Sequence, residues 1–301
     1  MKHSISIFSA ILLTVFLHDS NAQTNWHPEK GKKYIILAEQ SKSRVAIADI
    51  VSSAIVWEWI PAVRPDIKPE HVKWFEAMSD AKPLESGKYI LACASGGGMA
   101  LVRVSDKKTM FYAYAGGNTH SVERLPDGNI VSASSTGNFM SIFVTTGKDY
   151  PEQTVRKDFY LRDGHNLVWD KNKKRLYTVS WDQLKTYRYN YNKNNPSLIA
   201  VDAAAMPDSG AHDLYRAYGK NFLWLSTHSF IFKVDMKSRK TIKADTNFGK
   251  NIKSVSSGPE GYPTIIIRPK EKWWTDEVLD LEGNSIFKQQ GLRIYKARWL
   301  L

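Results

Sequence analysis

A motif recurs about every 45 residues along this chain, and few folds accept such a period. Its clearest copy runs His120-Ser-Val-Glu-Arg-Leu-Pro-Asp-Gly-Asn-Ile-Val-Ser-Ala-Ser-Ser135. A short strand is followed by a Pro-Asp-Gly-Asn turn and a second apolar strand, the signature of a tight hairpin. Similar units begin at Ser79, His165, His212 and Lys253, giving spacings of 41, 45, 47 and 41 residues. A third strand follows each clear hairpin, as at 100–104, 140–144, 184–189 and 230–234, and a fourth follows in most units, as at 109–114 and 197–201. Four antiparallel strands per unit describe a β-propeller blade.

The two ends supply a sixth blade. Residues 33–38, 44–49 and 55–59 give three strands with no hairpin strand before them, while 291–301 gives one orphan strand. Tyr295 lies 42 residues after Lys253, in register with the period. The expected fold is therefore all-β: a six-bladed β-propeller of four-stranded antiparallel blades, closed by the C-terminal strand joining the first blade. Closure of this kind removes free sheet edges.

Met1–Ala22 has a basic start, an apolar stretch from Ile5 to Leu17, and small residues Ser20 and Ala22 before Gln23. That is the pattern of a secretory signal peptide rather than a membrane span. It predicts a secreted or periplasmic protein with one domain over 23–301 and no membrane insertion. One cysteine, Cys93, excludes an internal disulfide framework and multi-cysteine metal sites. The formal charge of +12 has no polybasic block, so it suits an anionic extracellular ligand or solubility better than nucleic acid. The chain is expected to be a monomer.

In a propeller the first strand of each blade lines the central channel. The repeat places Ser79, His120, His165, His212, Lys253 and Tyr295 (or Lys296) at one equivalent point. After the signal peptide six histidines remain, and half of them occupy this position. Imidazole is both the commonest acid–base group near neutral pH and the commonest metal ligand. His120, His165 and His212 could thus hold one divalent ion such as Mn, Zn or Ca. Alternatively they form a metal-free cluster in which crowding keeps one ring neutral as a base. A further alternative is structural, each ring bonding to a neighbouring blade. Tyr295 is an additional acid–base candidate.

Loops leaving the second strand share a face with those entering the first. Gln40, Asn138, Trp181 and His228 fall there, with Arg268, Lys272, Trp273 and Trp274 from the sixth unit, and Lys253 beside them at the channel. Cationic side chains suit a carboxylate or sulfate, and indole faces suit a sugar ring. Gly96–Gly98 would let a ligand approach the backbone closely. Trp57, Trp59 and Trp224 alternate within strands and are expected in the core between blades.

The His120 unit, with a channel histidine before Leu-Pro-Asp-Gly-Asn, resembles the blade opening of secreted bacterial propellers in the quinoprotein-like and arylsulfotransferase-like groups. The likeness is partial at His165 and His212, and arylsulfotransferases of this type are much longer chains. It implies the fold and, more remotely, histidine-centred sulfuryl transfer. The histidine cluster with basic and aromatic loops is also similar to propeller polysaccharide lyases that act on uronate-containing glycans, some with a bound metal. The chain as a whole looks most like an uncharacterised family of secreted bacterial propellers. Three functions follow as expectations. The first is an enzyme acting on an acidic saccharide or other anionic small molecule, a carbon–oxygen lyase or else a glycoside hydrolase. The second is a non-catalytic propeller binding a glycan or protein. The third is sulfuryl transfer.

Overall fold

The computed structural model describes residues 25–146, 150–152, 154–246, 248 and 250–301. The segment Met1–Ala22 lies outside them. Six four-stranded antiparallel sheets form a ring, each built from strands consecutive in the chain except the first. Blade 1 takes Tyr34–Glu39, Arg44–Asp49 and Ala54–Trp59 from the beginning of the described chain and Ile294–Trp299 from its end. Ile294–Trp299 is the innermost strand of that sheet and closes the ring, as the period predicts. The other innermost strands are Met78–Leu84, Thr119–Arg124, Val168–Asp170, Asp213–Arg216 and Ser254–Ser256.

Between adjacent blades lies one buried apolar cluster, six in all. Side chains alternate across a strand, so each strand feeds the clusters on both its faces. Ile35 and Leu37 pack toward blade 6, whereas Tyr34, Ile36 and Ala38 pack toward blade 2. The same alternation sends Ile90 and Ala92 to one interface and Leu91 and Cys93 to the next. Trp57 and Trp59 are buried between blades 1 and 2, their indole N–H groups donating to Val104 O and Thr109 Oγ1 of blade 2. Burying these indoles without leaving an unpaired donor welds the first blade to its neighbour.

The long connection between blades 1 and 2 folds as two short 3-10 helices, Pro61–Val63 and Pro69–Phe75. The second packs on Gly96–Gly98. A Cβ on Gly96 or Gly98 would meet the Trp74 carbonyl oxygen at 2.7 or 2.8 Å. The expectation of a ligand at this glycine run is corrected here: the protein's own helix makes the close approach. His71 belongs to that helix as well. Its ring stacks on Trp74 at 3.6 Å, and Nδ1 lies 3.2 Å from the Tyr112 hydroxyl.

Candidate functional site

His120 and His212 sit at backbone irregularities at the start of their inner strands, whereas His165 lies three residues before Val168–Asp170. The register shifts between Thr119 and Ser121, leaving His120 as an extra residue, and shifts in the same way around Ser79. Blades 5 and 6 repeat the device. His212 N donates to Ser226 O while the next residue, Asp213, faces Ser226 in the ladder; Lys253 N and Ser254 treat Ile267 likewise. A bulge re-aims the side chain it carries. At Ser79 the hydroxyl turns outward to donate to Thr119 O, so Ser79 binds blade 3 rather than the channel.

His120 and His165 have ring centroids 4.6 Å apart, His165 and His212 5.8 Å. His228 extends the row, 4.8 Å from His212, and Tyr295 closes on the other side, 5.6 Å from His120. The Lys253 ammonium donates to His212 Nε2 at 3.0 Å. His120, His212, Lys253 and Tyr295 are all less than 10% exposed, while the His165 side chain keeps 15% and His228 is open to solvent.

Hydrogen bonds set the tautomers. His120 Nδ1–H donates to Asn118 O at 2.9 Å, and His165 Nδ1–H donates to Asp163 O at 3.1 Å with an Asp163 carboxylate oxygen at 3.3 Å. Each ring thus keeps its Nε2 lone pair unengaged. His212 is reversed: Nε2 accepts from Lys253, and Nδ1 is buried with no partner among the described residues. Burial, then the neighbouring His165 and the ammonium groups of Lys296 and Lys253, hold His120 well below the usual imidazole range. Burial and Lys253 do the same to His212. Burial, helped by Lys296, brings Lys253 down to about 8. Burial, helped by Asp213 and Asp80, pushes the Tyr295 phenol up, so it keeps its proton. For Asp163, burial pulls upward, but the His165 hydrogen bond and nearby cations outweigh it and the carboxyl sits low.

Below the imidazoles the channel is filled by ions. Arg298 grips Asp213 with two hydrogen bonds of 2.6 Å and reaches Asp80 at 3.3 Å. Lys296 lies 3.3 Å from Asp213, and Lys82 lies 3.3 Å from Glu123. The repeat pointed to Lys296 but not to Asp80, Asp213 or Arg298. Asp163 was missed too, although it stands two residues before His165, where an orienting carboxylate belongs.

The outer candidates divide. Trp181, with Arg162 5.1 Å from its ring, lies 6.5 Å from His228 and so borders the imidazole row. Asn138 supports it indirectly, its side-chain oxygen accepting from Asp163 N. Gln40 accepts from Trp273 Nε1 at 3.0 Å and donates to Met78 O. Lys272 lies over Trp273, Arg293 over Trp274, and Arg268 over Phe248. Among the described residues, none of these last hydrogen bonds and ring contacts reaches a channel histidine.

A divalent metal does not fit the three imidazoles as they stand. Lys253 already occupies the His212 lone pair, a cation where a cation would have to bind, and His212 Nδ1 carries the proton. Among the described residues no three His, Cys, Asp or Glu side chains are placed to hold an ion.

Solved structures share the architecture at low identity. A protein of unknown function from Bacteroides caccae is 12% identical with a TM-score of 0.60, covering 89% of this chain and 99% of that one. A chain of the nidogen/laminin complex is 11% identical with a TM-score of 0.60, covering 89% and 98%. The β-propeller domain of Cps50 (Swd1) from Myceliophteria thermophila is 10% identical with a TM-score of 0.54, covering 88% and 87%. These likenesses concern the fold alone. No curated protein matches the chain at a significant level. Residues 8–301 match one family profile along nearly their whole length, and the chain belongs to that family, the family of unknown function DUF6528.

Proposed function

We propose that the channel mouth is an acid–base centre acting on an acidic saccharide by β-elimination. The observation that supports this reading is the gathering of His120, His165 and His212 beside Lys253 and Tyr295, with the Nε2 of His120 and His165 unengaged. Elimination from a uronate needs its carboxylate neutralised, a base for the C5 proton and an acid for the leaving oxygen. Lys253 faces the carboxylate. His165, the least buried ring of the repeat and oriented by Asp163, takes the C5 proton at Nε2. The C4=C5 bond forms as the C4–O bond breaks, and the departing oxygen takes the Tyr295 proton. The export predicted from Met1–Ala22 would put such a centre where extracellular polysaccharides are met.

Ultraviolet absorbance of the new C4=C5 bond, followed over a panel of uronate polymers, tests the proposal. The native protein should produce it, and His165→Ala should lower the rate roughly 10²–10⁴-fold, the usual worth of a positioned base. Absence of signal with every polymer, or a His165→Ala variant as active as the native protein, would overturn it. A non-catalytic binding role is the second reading, favoured by the deep burial of His120, His212, Lys253 and Tyr295. It predicts saturable binding of the same polymers with no absorbance change.

A further inference from the structure

The opposite end of the channel holds two adjoining cavities of ≈ 530 and ≈ 510 Å³, which share Leu84, Glu123, Trp169 and Lys171 in their walls. Each is of the size ordinary ligand sites have. The inner strands run from the histidines toward these cavities, and Tyr215 stands three residues beyond His212, about 10 Å along the strand. The buried ions of Asp80, Asp213, Lys296 and Arg298 fill the space between, so the two ends are separate sites.

We propose that the paired cavities bind an anionic saccharide chain. Three features of the lining select that ligand. An exposed aromatic ring borders each cavity: Tyr191 in one and Tyr218 in the other, each nearly half exposed, offer faces on which sugar rings stack, while the shared Trp169 is buried behind them. Lys171 borders both cavities and Lys174 one of them, and among the described residues neither ammonium has an ion-pair or hydrogen-bond partner, although the other basic residues there, Arg124, Arg216 and Lys82, are paired with Glu85, Asp170 and Glu123. The Tyr215 ring lies beneath the Arg298 guanidinium at 4.0 Å, and its hydroxyl has no hydrogen-bond partner among the described residues, leaving a donor for a sugar hydroxyl or carboxylate. Much of the wall comes from the turns after the inner strands, at 84–86, 124–126, 171–174 and 218–219. Such turns give an extended peptide no ladder to join.

The proposal is independent of catalysis at the histidines. Its test uses full-length protein carrying His165→Ala and Lys253→Met, so that binding at the other end is disabled, with a saturated hexamer of galacturonate as probe in titration calorimetry. The hexamer should still bind. Adding Lys171→Ala with Lys174→Ala should weaken it roughly tenfold and flatten its salt dependence, and Tyr191→Ala should weaken it severalfold, with thermal stability unchanged. Loss of hexamer binding in the starting variant, or indifference to the lysine and tyrosine changes, would refute the site. Equal binding of polyglutamate would also refute it by reassigning the groove to acidic peptides. A native protein inactive on uronates alters none of these outcomes.

Discussion

Replacing Asp213 by asparagine should cost the fold about 3–5 kcal/mol, the penalty for breaking a buried ion pair while leaving its partner behind. The side chain accepts two 2.6 Å bonds from Arg298, one from Lys296 at 3.3 Å and one from the Val255 amide at 3.1 Å. Three cations, Lys82, Lys296 and Arg298, stand against Asp80, Asp213 and Glu123 in this layer. The substitution conserves volume but leaves three charges facing two, all in the interior. A chain of this length unfolds with an entropy of about 0.6 kcal/mol/K, so the midpoint should fall by about 5–8 °C. Thermal circular dichroism at neutral pH measures it. Glu152→Gln serves as control, because the Lys68–Glu152 pair is nearly half exposed on both sides and should contribute no more than about 1 kcal/mol. The pH dependence gives a second check. Burial raises the Asp213 carboxyl, but Arg298 and Lys296 outweigh it and bring it to about 2, below the unfolded value of 3.8. Its stabilisation is therefore complete above pH 4 and lost as pH falls toward 2, and the gap between native protein and variant should close over that interval. An Asp213→Asn midpoint within 2 °C of the control would refute the account of the ionic layer.

Lys253→Met should abolish uronate binding at the channel mouth yet leave the protein as stable or more stable at pH 7. A lysine held at about 8 costs stability while charged, and that cost is relieved between pH 8 and 10.5, so denaturation midpoints of the two proteins should converge there. By the same reasoning, anion binding to the native protein should weaken as pH rises through 8, read by calorimetry. Gly96→Ala should destabilise by about 1–3 kcal/mol in urea titrations, since the new methyl would lie 2.7 Å from the Trp74 carbonyl. Cys93, fully buried with its thiol pushed up to about 12, should stay unmodified by a thiol reagent until the protein unfolds.

The ring was legible in the sequence because its signals are local. A Pro-Asp-Gly-Asn turn between alternating strands, repeated at nearly constant spacing, needs no knowledge of distant contacts. The predicted strand at 44–49 and the observed Arg44–Asp49 coincide, and the orphan end strand pairs where the period requires. Position within the repeat also found His120, His165 and His212, since equivalent residues of successive blades share one radius. It misjudged Ser79: the register shifts there as it does at His120, but the short hydroxyl side chain donates to the Thr119 carbonyl of the next blade, a contact that the repeat does not encode. The pairing of Asp213 with Arg298 escaped for another reason. Those residues are 85 apart in the chain and meet only once the ring has closed. The glycine run misled because its occupant, Trp74, comes from an irregular connection that carries no periodicity.

Blade 1 also constrains how the protein comes into being. Glu39 accepts a hydrogen bond from the amide of Arg293, a residue 254 positions later. As the chain emerges from the ribosome, the strand at Tyr34–Glu39 therefore waits for nearly everything else before its inner neighbour exists. Throughout that interval an apolar ribbon has one bare side, and contacts so remote in sequence form slowly. The inner edge of Tyr34–Glu39 thus stays open to stray strand pairing until Ile294–Trp299 has been made, and that one late pairing completes blade 1.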